Sequence, residues 1–329
     1  MLSDPREALQ YADAPFDGSD GDIILRSSDK VHFVAFKNIL SIASPMFCGM
    51  FTLPQGVTPD SIEPSSRRQI VQLSEDARAI DIMLRACYPK RRPKITGMED
   101  ARIVLELSRK YQMEVLQEIA EDMLTAIIPS NPVSVYALAS HYDLTDLAAR
   151  AATFTNFLES LYSDDLHLLD GKQFYLLVHY RQRCSEAAIS TTANWTWITT
   201  FPTAMFQQAA MQLPSPCNCF PADSSRTKII SRAGTAYRAT HWWWRYIEQT
   251  KGALKDMPSG HVVSDPTFLK ATLDEARACC NCKTRMDGNQ DALRNFAQVF
   301  AEEVDKAVVQ VSVKFLLNGH FVVTVASLS

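Results

Sequence analysis

Between Asp22 and Phe51 the hydrophobic period changes twice within roughly thirty residues, and few folds accept such a change. Asp22–Ser27 is a short apolar strand, Ser28-Asp29-Lys30 is a turn, and Val31–Ala35 reads as a second strand. Two helical stripes follow with almost no linker: Phe36, Ile39, Leu40, Ile42 and Ala43, then Met46, Phe47, Met50 and Phe51. Ser44 is placed to cap the second helix, and Pro45 fills its first position, where a missing N–H costs nothing. A hairpin feeding a tight helix pair makes a small scaffold, and none of these residues is a catalytic group.

This stretch resembles the opening of a BTB/POZ domain. The resemblance rests on Asp20-Gly21-Asp22-Ile23-Ile24-Leu25, on Val31, Phe33, Phe36, Lys37 and Leu40, and on Ser41, Ser44, Pro45, Phe47, Met50 and Phe51. Most members carry His at the position of Phe36. The continuation is similar to the basidiomycete fungal subgroup, whose members have a helical, cysteine-containing C-terminal region. The resemblance implies an α+β BTB/POZ fold, a small sheet with clustered helices, followed by a mainly α-helical domain. It also implies protein–protein interaction: self-association, pairing with other BTB proteins, or adaptor work for a cullin-type ubiquitin ligase. Two departures bear on these partners. Cullin-binding members have an apolar-x-Glu element after the second helix, whereas Phe51 is followed by Thr52-Leu53-Pro54-Gln55. Strand-exchanged dimers use a substantial N-terminal helix, and only Pro5–Ala12 is available for one.

After the Pro- and Ser-rich loop Pro54–Arg68, a strand is expected at Gln69–Leu73 and a helix from Ser74 to Cys87. Two amphipathic helices follow, Met98–Tyr111 and Val115–Ile127. The expected division is a tail at 1–13, a BTB/POZ domain at 14–127, a helical region with cysteine-rich loops at 128–314, and a tail at 315–329. In the second domain a helix pair covers Pro132–Tyr142 and Leu144–Phe157, a long helix covers Lys172–Ile189, and Asn194–Phe220 has no regular period. His241-Trp242-Trp243-Trp244 opens another helix, and Leu293, Phe296, Phe300, Val304 and Val311 give a final helical stripe. Val311–Leu317 and His320–Ala326 also alternate around Asn318-Gly319, which predicts a hairpin in conflict with that stripe.

Hydrophobic residues at 47% and a net charge of −4 among 329 residues describe a chain able to bury a core. They give no global attraction to nucleic acid or to an anionic membrane. The N-terminus has no apolar signal-peptide core, and no run reaches the ~18 apolar residues of a membrane span. The expectation is a cytoplasmic or nuclear protein. Lys90, Arg91, Arg92 and Lys94 resemble a nuclear import signal, with a solvated loop as the plain alternative. That signal accompanies the rival reading, a nuclear transcription or chromatin adaptor.

Phosphate-loop, dinucleotide, zinc-protease and serine-hydrolase motifs are missing from the sequence. Asp164-Asp165 and Glu302-Glu303 read as solvated neighbours, and His179 and Cys184 lie off a common helix face. The expectation is a non-enzyme that requires no cofactor, although an enzyme built on the cysteine region is a second rival. Eight cysteines without a secretory signal point to thiol or metal chemistry more than to disulfides. Cys217 and Cys219 in a Pro-bounded loop, with Cys279 and Cys282 at a helix end, offer four thiolates to one structural Zn²⁺; His241 and Cys184 are substitute ligands. The other reading is that these cysteines are small buried hydrophobes. The tryptophan run reads as core, because indoles bury large areas.

Overall fold

Ile23–Arg26 (β2) and Val31–Ala35 (β3) are apolar at nearly every position, and they pair as an antiparallel hairpin buried on both faces. In this computed structural model of the chain the described residues are 10–18, 20–53, 62–63, 67–89, 95–158, 160–193, 195, 197–198, 228–230, 236–238, 240–287 and 290–317. The turn places Lys30 at φ 69°, and Ser27 Oγ accepts the Val31 N–H at 2.9 Å. Gly21 precedes β2 where a Cβ would stand 2.5 Å from the Ala35 carbonyl oxygen, so the close approach of the strand requires glycine.

The sheet order is β1-β3-β2-β4, with β1 (Gln10–Tyr11) parallel to β3 and β4 (Gln69–Gln72) parallel to β2. Residues 1–13 carry a weak helical pattern in sequence, of which 10–12 are among the described residues. Residues 10–12 are extended instead, because pairing of Tyr11 with His32 and donation from the Ala12 N–H to the His32 carbonyl outweigh a short stripe.

Among the described residues of this first unit the helices are α1 (Lys37–Ala43), α2 (Pro45–Thr52), α3 (Ala77–Cys87), α4 (Gly97–Tyr111) and α5 (Glu114–Ile127). Ser44 caps α2 by accepting the Phe47 N–H at 3.1 Å, and Asp76 caps α3 by accepting from Ala79 at 2.8 Å. Gln112, at φ 53°, turns the chain from α4 into α5. A small mixed sheet with clustered helices is the α+β arrangement expected from the sequence. The first compact unit ends at Asn131, and the second begins at Pro132.

The second unit is mainly helical. Its elements are α6 (Pro132–His141), α7 (Thr145–Phe154), α8 (Gly171–Ala193), α9 (His241–Asp256), α10 (Gly260–Val263), α11 (Pro266–Arg277), α12 (Cys280–Asp287) and α13 (Gln290–Leu317). Two three-residue strands, Lys228–Ile230 and Ala236–Arg238, pair antiparallel. Packing of α13 along α8 and α10 forms the main helical layer. Trp242 and Trp243 are buried as expected, and Trp197 stacks on Phe300 at 5.5 Å. Trp195 lies 5.2 Å from Trp243, which draws the start of the irregular stretch into this core.

The strand expected at Val311–Leu317 is absent, since α13 continues to Leu317. Adding one residue to an existing helix costs far less than nucleating an isolated hairpin. Asp165, expected in solvent beside Asp164, is buried. Among the described residues no helix is long and apolar enough to cross a membrane.

Candidate protein-interaction surface

Several signature residues of the helix pair act as fasteners. Asp22 Oδ1 accepts the Lys37 N–H at 2.8 Å at the start of α1, and Lys37 Nζ donates to Gln69 Oε1 on β4 at 2.9 Å. The same ammonium lies 5.7 Å from the centre of the Phe51 ring. Phe33, Leu40 and Phe47 are buried. Ser44 Oγ donates to the Tyr111 carbonyl at 2.5 Å, and Phe47 stacks on the Tyr111 ring, so the helix pair is fastened to the end of α4.

The same pair also exposes large apolar side chains, beside exposed Asn38, Cys48 and Thr52. Ile42 is 87% exposed and Leu53 64% exposed, while Met46 and Met50 are half-buried. The stripe expected for α1 is thereby corrected, because only Leu40 of that helix is buried. The cause is local: Ser44 is extended at φ −144°, so the helical period restarts at Pro45 and Ile42 is left outside. The Ser-Pro break that reveals the second helix is also the signal that could have placed Ile42 outside.

Electrostatics around the anchor serve structure. Burial opposes the charge on Glu75, yet hydrogen bonds from Lys110 and Tyr111 hold its pKa below the ordinary value. Its Oε2 accepts from the Tyr111 hydroxyl at 2.6 Å, and burial together with that bond raises the Tyr111 pKa. Burial pushes the Cys87 thiol up to about 12, which keeps it protonated and a poor nucleophile at neutral pH. This network ties the loop after β4 to α4, whereas sequence patterning marks Tyr111 only as one more apolar position.

The remaining expected site residues are distributed unevenly. Lys90, Arg91, Arg92 and Lys94 lie outside the described residues, as do Cys217 and Cys219. Cys282 is buried in α12, Cys279 is half-buried just before it, and Cys280 is exposed. Among the described residues no group of three or more His, Cys, Asp or Glu side chains is arranged to hold a metal. Cys184 is buried with Tyr180 and Asn156, and burial raises its pKa. His179 stacks on Tyr175 at 5.6 Å. His241 Nδ1 stands 3.4 Å from Glu275 Oε1, so the start of α9 meets the last turn of α11 shortly before Cys279.

Comparison with known families assigns residues 16–128 to the BTB/POZ domain. Kelch repeat and BTB domain-containing protein 8 of Xenopus tropicalis is 26% identical over 150 residues, covering 44% of this chain and 23% of that protein. The mouse and human proteins of the same name are each 24% identical over 139 residues. The chain spans about a quarter of the length of these curated relatives.

Proposed function

We propose that this chain is a protein-interaction adaptor whose BTB/POZ domain docks a partner on the outer side of α1 and α2. The observation that carries the reading is the exposure of Ile42 and Leu53 on a helix pair that Asp22, Lys37 and Ser44 hold in place. Two large exposed apolar side chains flanked by half-buried methionines suit a helical partner surface. The partner is a cullin-type scaffold or a second BTB domain. Sedimentation of the full chain and calorimetry against a cullin N-terminal domain separate the two. Saturable binding or a defined dimer supports the reading; a monomer that binds no cullin counts against it.

A structural zinc belongs to the same proposal. Cys279 and Cys282 follow closely after Glu275, which meets His241 at the start of α9, and Cys217 and Cys219 precede α9 in the chain. A tetrahedral four-thiolate site there would clip that chain to the end of α11.

A further inference from the structure

Residues of α10, α11 and α13 line one groove. Gly260 of α10 fits tightly against α13: its N–H donates to Asp305 Oδ1 at 2.7 Å, and a Cβ there would stand 2.4 Å from the Ala301 carbonyl oxygen. That contact fixes the start of α11 beside Ala301 and Asp305. From there a groove of about 1020 Å³ runs between α11 and α13 toward Arg277 and Arg294. At ~1.5 Å per residue, the α11 wall from Pro266 to Arg277 is roughly 16 Å long, the length of about three helical turns.

The floor of the groove is apolar, formed by buried Leu269 with half-buried Leu273 and Ala301. Its ends carry opposite charge. Arg277 and Arg294 stand at one end, and exposed Glu302 and Asp305 at the other. Lys270 and Asp274 follow each other along the α11 wall and leave its middle without net sign. The ion pair available to Arg294 within its own helix is long, 3.8 Å to Asp291, and is exposed. Pairs of that kind hold a side chain weakly and yield readily to a better partner.

We propose that this groove docks an amphipathic helix of a partner protein, lying parallel to α11, with acidic residues toward its C-terminal end and basic residues toward its N-terminal end. The apolar floor takes the stripe of such a segment. The negative end of its dipole and its carboxylates meet Arg277 and Arg294; its positive end meets Glu302 and Asp305. The groove would be the second docking arm of the adaptor proposed above.

The test uses the full chain and two fluorescent probe peptides of about sixteen residues, long enough for four helical turns. Both carry one leucine stripe and the same composition. One has lysines at the N-terminal end and glutamates at the C-terminal end, and the other has that order reversed. Fluorescence anisotropy should show the first peptide binding about tenfold tighter, with the difference shrinking as salt is raised. The double variant Arg277→Glu/Arg294→Glu should abolish the preference, because both ends of the groove are then acidic and each peptide meets one opposite and one like end. Its helix content by circular dichroism should match the parent, since the two side chains are 37% and 69% exposed. Equal affinity for the two peptides, no binding of either, or an unchanged preference in the double variant overturns the proposal. Variants at Ile42 and Leu53 should bind the probe normally, so failure at the BTB/POZ surface and failure at the groove are told apart.

Discussion

Phe47 lies flat on Tyr111, with ring centres 4.9 Å apart and planes within 2° of parallel, and this contact joins the Ser-Pro helix pair to the end of α4. The Phe47 side chain is fully buried, so Phe47→Ala removes the stack and leaves a cavity. The expected loss is ~3–5 kcal/mol, read as a lower urea midpoint for the first unit. Ser44→Ala removes both the α2 cap and the bond to the Tyr111 carbonyl, for a loss of ~1–2 kcal/mol. Because the two side chains share Tyr111, the double variant should lose less than the sum. Strict additivity would show that they do not act through that residue.

Gly21→Ala is the smallest change expected to damage the sheet. The added methyl meets the Ala35 carbonyl oxygen and a Val34 methyl, both fixed by the β2–β3 pairing. A loss of ~1–3 kcal/mol follows from overpacking of this kind. Unchanged thermal stability would contradict the pairing of Ile23 with Ala35 that sets this close approach.

Acid should loosen the first unit through Glu75. Its pKa is depressed in the folded chain, so the folded state favours its ionised form. The stability it contributes is present above the ordinary value of 4.5 and is lost as pH falls through the lower folded value. Denaturant midpoints measured on either side of that value should fall with pH in the parent and change less in Glu75→Gln. Parallel pH profiles for the two proteins would assign the acid sensitivity elsewhere.

Much of this architecture could be read from local pattern. The β2–β3 hairpin, the Ser44 cap and the helix pair α6–α7 follow from spacing within a few residues, and the burial of Trp242 and Trp243 follows from the size of their side chains. What could not be read depends on distant partners. Residues 10–12 are extended because β3 offers them an edge, and Val311–Leu317 is helical because about twenty preceding residues are already wound. The place of Ile42 escapes the pattern for a different reason, since a continuous stripe runs across a helix break. Tyr111 gains its importance from Ser44, Phe47 and Glu75, and each is remote from it in sequence.

The zinc proposal predicts one equivalent of metal in protein purified under reducing conditions. Cys282→Ser should lower that content, and a strong chelator should lower the stability of the helical unit while leaving the first unit unchanged. Less than a tenth of an equivalent of zinc, with the stability of the helical unit unchanged by the chelator, would return these cysteines to ordinary packing roles.

The central claim is that the outer side of α1 and α2 is the docking surface of the BTB/POZ domain, and the double variant Ile42→Glu/Leu53→Glu tests it most directly. Both side chains are exposed, so the variant should keep the parent's unfolding free energy within about 0.5 kcal/mol, as surface substitutions do. Binding to the cullin N-terminal domain, or self-association if that is the mode found for the parent, should weaken at least about tenfold, because charge replaces the apolar contact. A double variant that folds normally and binds or assembles with the parent's affinity would contradict the account.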